Sequence, residues 1–269
     1  MALGYSEELF GMGRNIQSLM QDFFHSYSVV LDKPAIQTIE NKLGNLIQSE
    51  SSLATDNPYK VMHSVIFPEA TWFEQTEMLD FLKQWFIRQQ KAIRVWSVGS
   101  GLGYEPYSIS CCFSEVLGAF ALNALPTIEI VGSDMSTRAL AFAKKALYSK
   151  EVFEKNVSWL RKRKFFKQVT GFQSAVYTVK TPEKERVTFI EQDILKNLHP
   201  LGDFDVIFCT QILPYFSKNL RYAVACRLSD RLKPGGYLFL GNTELNIKQL
   251  SDIRRIELEK GFLYQKLPT

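Results

Sequence analysis

Three glycines stand at 99, 101 and 103 in "SVGSGLGYEPYS", and Glu105 follows two residues after the last of them. Without Cβ atoms a backbone can adopt positive φ and let a bound molecule approach closely. The spacing is G-S-G-L-G, which differs from the G-x-G-x-x-G that seats a pyrophosphate at a helix N-terminus. This turn runs into a carboxylate instead. Glu105 would repel a pyrophosphate but can accept hydrogen bonds from an ammonium or a hydroxyl. A second acid, Asp134, closes the run "TIEIVGSD". A carboxylate at the end of the second strand of such a sheet can accept both hydroxyls of a ribose. Together these residues predict a nucleoside with a cationic amino acid end, which is S-adenosylmethionine. Asp134 alone would serve NAD equally. Each acid also has a plainer role, Asp134 as a helix cap and Glu105 as a first-turn residue favoured by the helix dipole.

The elements that must position these groups follow from periodicity. "IRVWSVG" reads as a buried strand leading into the turn, and "EPYSISCCFSEVLGAF" as the helix after it. "TIEIVGSD" is a second strand, "STRALAFAKKALY" a helix capped by Ser136, "FDVIFCTQ" a further strand, and "NLRYAVACRLSDRL" a helix closed by a "KPGG" turn before the strand "YLFLGNTE". Alternating strands and helices predict a parallel sheet with crossover helices on both faces. "RKFFKQV", "SAVYTVK" and "RVTFIEQ" break the alternation and read as a small antiparallel insert followed by a return to the parallel sheet. Before residue 91 the chain reads as helices. These include "IQSLMQDFFHSYSVVL", a segment opening at Lys33–Pro34, and "TEMLDFLKQWFIRQQ" at 76–90 with Thr76 as its cap; a polar loop occupies 49–58. The expected domains are 1–90, helical, and 91–269, with the ligand site.

The 269 residues are 46% hydrophobic, enough to bury a sizeable core, and no stretch is long and apolar enough to predict a membrane span. The amino-terminal residues lack the basic and apolar regions of a secretory signal. Cys111, Cys112, Cys209 and Cys226 sit in apolar runs without CxxC spacing. They read as buried reduced thiols of a cytoplasmic protein, with no metal site. The net charge of +4 hides an asymmetry: residues 1–85 hold 5 Lys/Arg against 11 Asp/Glu, a net of −6, so the remainder carries +10. "RKRK" at 161–164 lies in that basic part. It reads either as a face for an acidic partner or as a solvated helix end.

Several segments together resemble CheR-type chemotaxis protein methyltransferases. "SVGSGLGYEPYSIS" resembles that family's "G-x-S-T-G-E-E-P-Y-S", and the E-P-Y-S part at 105–108 is the most specific match. "ALYSKEVF", "FDVIFCTQILPYFSKNL", "LKPGGYLFLGNTE" and "GFLYQK" resemble its later segments, and "ATWF" at 70–73 more loosely its "T-x-F-F-R". The resemblance implies a Rossmann-like class I methyltransferase sheet, an N-terminal helical domain, and an antiparallel β subdomain at about 164–190. It implies S-adenosylmethionine as cofactor and S-adenosylhomocysteine as product. Gly99, Ser100, Gly101, Gly103 and Glu105 would line the methionine end, Asp134 with Met135 the ribose, and Asp193 and Ile194 the adenine. Thr210 and Gln211 stand where the family has Arg-Asn, and Tyr215 matches the tyrosine near the transferred methyl. The implied acceptor is a glutamate of a chemoreceptor's cytoplasmic domain. No nucleic acid or membrane insertion is expected, and a monomer is the default.

Such an acceptor suits the residues available. A carboxylate is already ionised at neutral pH and needs no general base, and none of His25, His63 or His199 lies in a cofactor motif. Three departures stand out. The arginine of "T-x-F-F-R" aligns with Glu74, which would repel an acceptor carboxylate. The Arg-Asn pair has become Thr210–Gln211, and the amino-terminal region is acidic. The sequence therefore leaves two alternatives open: another acceptor on the same scaffold, with Glu74 as a catalytic group, or a catalytically silent module that binds the cofactor. Nucleic-acid modification, indicated by "RKRK" alone, ranks last because the run lacks interleaved base-stacking aromatics beyond Phe165 and Phe166.

Overall fold

The computed structural model describes residues 71–120, 126–153, 157–172, 175–210, 212–213, 216, 218–241, 252–259 and 261–268. The helices and loop expected before residue 71 lie outside the described residues. The chain divides into two compact units, residues 1–69 with 214–221, and residues 70–213 with 222–269.

The larger unit begins with α1 (Thr76–Phe86). Met78, Leu79, Leu82 and Phe86 recur at helical spacing and are all buried. Each such side chain contributes about 1.5–3 kcal/mol by leaving water. Thr76 is the first helical residue and not the cap, a place that Gln75 takes without a side-chain hydrogen bond. The helix stops at Phe86, short of the expected residue 90.

The chain continues as β1 (Ile93–Val98), α2 (Tyr104–Phe120), β2 (Ile128–Asp134) and α3 (Thr137–Lys145). Phe86 of α1 meets Phe113 of α2 edge-on at 5.2 Å. Ser136 caps α3 as expected, its hydroxyl accepting from the Ala139 amide at 3.1 Å. Ala146 then takes φ 52 and ends the helix earlier than "KKALY" predicts. The freed residues form β3 (Leu147–Ser149).

After α4 (Trp159–Phe165) come β4 (Phe166–Val169), β5 (Val176–Val179), α5 (Thr181–Glu185) and β6 (Val187–Glu191). The small antiparallel sheet has the order β3-β5-β4. Its third strand is thus Leu147–Ser149. "RVTFIEQ" supplies β6, which pairs parallel with β2 from Ile130↔Val187 to Asp134↔Glu191. Three residues are too few to show an alternation, so β3 carries no periodic signal.

The last elements are β7 (Phe204–Phe208), α6 (Lys218–Asp230), β8 (Leu232–Phe239), β9 (Ile253–Glu257) and β10 (Phe262–Lys266). The large sheet runs β6-β2-β1-β7-β8-β10-β9. Pairing is parallel from β6 to β8, and β10 is antiparallel to both β8 and β9. "KPGG" lies inside β8, where the register with β7 shifts between Phe204 and Val206 and Gly235 takes φ 79. It is a bulge in a strand, and the sequence reading of a turn is corrected.

The core is aromatic. Trp96 stacks on Phe204 at 5.2 Å, and Phe208 on Phe239 at 4.5 Å. Trp72 is enclosed by Tyr104, Tyr148, Phe153 and Phe166, with ring centroids 4.7–5.7 Å away. Cys111, Cys112 and Cys209 are buried free thiols, and Cys226 is only half-buried. Burial pushes the Cys112 thiol up to about 12, so it stays protonated at neutral pH.

Candidate active site

The carboxyl end of β1 lies between β2 and β7, and the glycine turn leaves it there. Gly99, Gly101 and Gly103 have φ of 70°, 49° and 89°. Each has a different reason to be glycine. A Cβ on Gly99 would stand 2.4 Å from Cγ2 of Ile212. One on Gly103 would crowd Phe189, Ala143 and Tyr107 at 3.0–3.2 Å. One on Gly101 would meet nothing within 4 Å, so the turn faces open space at its middle.

Asp134, at the end of β2, is 5% exposed. Its Oδ2 accepts from the Gly101 amide at 2.9 Å and its Oδ1 from the Ser136 amide at 2.8 Å. One side chain therefore clamps the glycine turn and the start of α3 together. It is not the cap of α3. The Ser100 amide donates to the Ser133 carbonyl at 2.9 Å, while the Ser100 hydroxyl is buried with no hydrogen-bond partner. Met135 is half-buried beside Asp134.

Glu105 sits in the first turn of α2. Ser97 donates to its Oε1 at 2.7 Å and Thr210 to its Oε2 at 2.6 Å. Ser97 comes from β1 and Thr210 from the end of β7, so three elements converge on one carboxylate. Burial pushes this carboxyl above its ordinary 4.5. The two hydroxyls oppose the rise and the Glu74 carboxylate adds to it. Thr210, expected to contact the cofactor where the family has an arginine, donates its hydroxyl to Glu105. Ser97 gives no signal in the sequence beyond a lone hydroxyl in the apolar run "RVWSVG".

Glu74 is exposed, and the Thr71 amide points to its Oε2 at 3.5 Å. It follows a strained turn. Phe73 takes φ 55, uncommon for a bulky side chain, and its amide donates to the buried Ser108 hydroxyl at 3.0 Å. Arg161 lies over the Phe73 ring at 4.0 Å and is bonded to Glu115 at 2.6 and 3.0 Å. The turn that carries Glu74 is thus pinned to α2 and α4.

Asp193 and Ile194 follow β6. The Asp193 carboxylate accepts from the Leu195 amide at 2.8 Å, and Ile194 is buried. The Gln192 amide donates to the Asp134 carbonyl at 3.1 Å, which joins this loop to the end of β2. Gln211 and Tyr215 lie outside the described residues. Among the described residues there is no cluster of His, Cys, Asp and Glu able to hold a metal.

The structure therefore gathers the glycine turn, Ser100, Glu105, Asp134 and Thr210 at the carboxyl ends of the central parallel strands. The donor set fits a cationic nucleoside: two acids, an unpartnered buried hydroxyl and an open backbone. The family described as "CheR methyltransferase, SAM binding domain" matches residues 68–262. The chain is 28% identical over 229 residues to "Chemotaxis protein methyltransferase 1" of Pseudomonas aeruginosa, covering 83% of this chain and 82% of that protein. It is 30% identical over 216 residues to "Chemotaxis protein methyltransferase Cher2" of Pseudomonas putida, covering 77% and 76%. It is 29% identical over 201 residues to "Chemotaxis protein methyltransferase 1" of Vibrio cholerae, covering 73% and 72%.

Proposed function

Because the chain belongs to the CheR methyltransferase family, and is an S-adenosylmethionine-dependent chemotaxis methyltransferase, we propose that it esterifies glutamates of a chemoreceptor's cytoplasmic domain. We further propose that it does so in the cytoplasm, with Glu105 and Asp134 as the acids that hold the cofactor. The observation that carries the assignment of residues is the Glu105 carboxylate, fixed by Ser97 and Thr210 beside a glycine turn clamped by Asp134. Among the described residues no helix is long and apolar enough to cross a membrane.

The bound cofactor supplies an electrophilic methyl on a sulfonium. The chain's own residues bind, orient and exclude water. In this reading Glu105 accepts from the ammonium, Asp134 accepts from the ribose, and the Ser100 hydroxyl takes a partner that the protein does not give it. The acceptor glutamate arrives ionised, so the enzyme has only to desolvate and align it. Tyr215 is proposed to orient that carboxylate, and Gln211, Met135, Asp193 and Ile194 to complete the cofactor pocket. The reaction is tested by labelled-methyl transfer to receptor-containing membranes. Base-labile release of methanol identifies a carboxyl ester, whereas a stable label would refute the glutamate acceptor.

The raised carboxyl of Glu105 gives a pH dependence with a defined sign. A carboxyl raised in the folded state binds its proton more tightly there than in the unfolded chain. Glu105 therefore costs nothing below its ordinary value of 4.5, and its destabilising contribution grows as pH rises through the window between that value and the raised one. A cationic ligand prefers the ionised carboxylate. Cofactor affinity should therefore fall as pH drops into that window, and binding there should release a proton. Calorimetry in buffers of different ionisation enthalpy measures this release, and Glu105→Gln should abolish it.

Glu74 supports a second reading, because its carboxylate is near enough to act on Glu105. An acid there opposes a carboxylate acceptor. Glu74→Arg should raise transfer to receptor glutamates about five- to tenfold, the effect of roughly 1 kcal/mol from one nearby charge. A fall in rate would instead favour an amine acceptor served by Glu74.

A further inference from the structure

Between residues 144 and 184 the chain holds eleven lysines and arginines against three acids. Part of this charge is used inside the fold. Arg161 is bonded to Glu115, and Lys162 lies over the Tyr177 ring at 4.1 Å. Arg163, Lys164 and Lys167 are exposed, with Arg163 over the Trp159 ring at 5.4 Å and Lys164 over the Phe165 ring at 5.2 Å.

The same stretch exposes large apolar side chains. Trp159 is 67% exposed and Leu160 70%, both in the first turn of α4, and Phe172 between β4 and β5 is 52% exposed. Tryptophan is buried on average, so an indole this open on an ordered helix is unusual. The Lys180 amide donates to the Phe165 carbonyl and its Nζ to the Arg163 carbonyl, both at 2.9 Å. These bonds tie α4 to β5, so cations and apolar groups stand on one small structural unit.

Three kinds of partner meet such a surface differently. A protein interface takes the indole and the arginine but depletes lysines, which this surface also presents. A nucleic acid stacks on planar rings but gains little from an exposed Leu160. An anionic bilayer takes both, the cations against headgroups and the indole and leucine into the interfacial layer. We propose that the α4 face of the small sheet is a docking surface for an anionic lipid bilayer, on which the chain lies without crossing it. This site is independent of the identity of the methyl acceptor.

The test is co-sedimentation of the full chain with vesicles of phosphatidylglycerol and phosphatidylcholine in equal parts, beside vesicles of phosphatidylcholine alone. The chain should pellet with the first and not the second, with a blue shift of indole emission, and should be released by high salt. R163E/K164E/K167E should weaken anionic-vesicle binding about a hundredfold, since each basic residue near the surface contributes on the order of a factor of five. W159S/L160S should weaken it at least about tenfold by removing apolar contact. Both variants alter exposed residues and should keep the wild-type circular dichroism and cofactor binding. The proposal is overturned if the chain ignores anionic vesicles, binds neutral ones as well, or binds unchanged in either variant. Tighter retention by polyglutamate or by a single-stranded oligonucleotide, lost in the same variants, would assign the surface to that polymer and overturn the bilayer.

Discussion

Asp134→Ala should remove cofactor binding altogether on a calorimetric scale, a loss of at least about a hundredfold. Two effects add. The variant would lack a buried carboxylate proposed to accept from ligand hydroxyls, and a charge-assisted hydrogen bond contributes about 1.5–3 kcal/mol. It also leaves the Gly101 and Ser136 amides without the acceptor they now share. Each orphaned group costs about 1–3 kcal/mol. The unfolding midpoint should drop as well. Asp134→Asn separates the two effects. It keeps the shape and one oxygen acceptor, but turns an NH2 toward one backbone amide. It should recover part of the stability and little of the binding. Wild-type affinity in Asp134→Asn would mean that the clamp is purely structural and would remove Asp134 from the cofactor site.

The second large effect contrasts two neighbouring glycines. Gly99→Ala places a methyl 2.4 Å from Ile212 Cγ2, a distance real Cβ atoms do not adopt, at φ 70. Ile212 is branched at Cβ, so Cγ2 cannot swing away cheaply. Strain and overpacking should together cost about 2–5 kcal/mol, and thermal unfolding would report it. Gly101→Ala adds its methyl to open space at φ 49, close to the ideal left-handed region. The fold should lose only about 1–2 kcal/mol. Cofactor affinity should nevertheless fall at least about tenfold, because the added methyl occupies the face on which we place the ligand. If Gly101→Ala binds normally, the ligand does not lie against the middle of the turn.

The residues that carry this site were unevenly legible. The glycine turn and Asp134 announce themselves because each ends an apolar strand where a parallel sheet opens, and Glu105 because it is an acid just past that turn, in the first turn of α2. Their partners do not. Ser97 is a single hydroxyl inside β1, and nothing local says that it bonds Glu105 eight residues later. Thr210 reads as a lost charge, yet its hydroxyl is fixed by a contact across 105 positions that only the packing of β7 beside β1 creates. The fold shows the same division. The long amphipathic helices and buried strands follow from periodicity. β3 has three residues, and β9, "IRRIE", puts two arginines where an alternating strand would have one. Both are strands because of what they pair with, β5 in one case and β10 in the other. "KPGG" looks like a stop signal and is a bulge, because β8 begins before the proline and resumes after it.

The strand order β6-β2-β1-β7-β8 has a consequence of its own. After β1 the chain turns one way to reach β2 and later β6, and for β7 and β8 it turns the other. The connections diverge from the tip of β1 and leave a notch there that owes nothing to any particular side chain. Such a notch can be refitted piecemeal. The loops around it can change while the strands beneath keep their register. A lineage built on this topology can change its clientele without rebuilding its foundations.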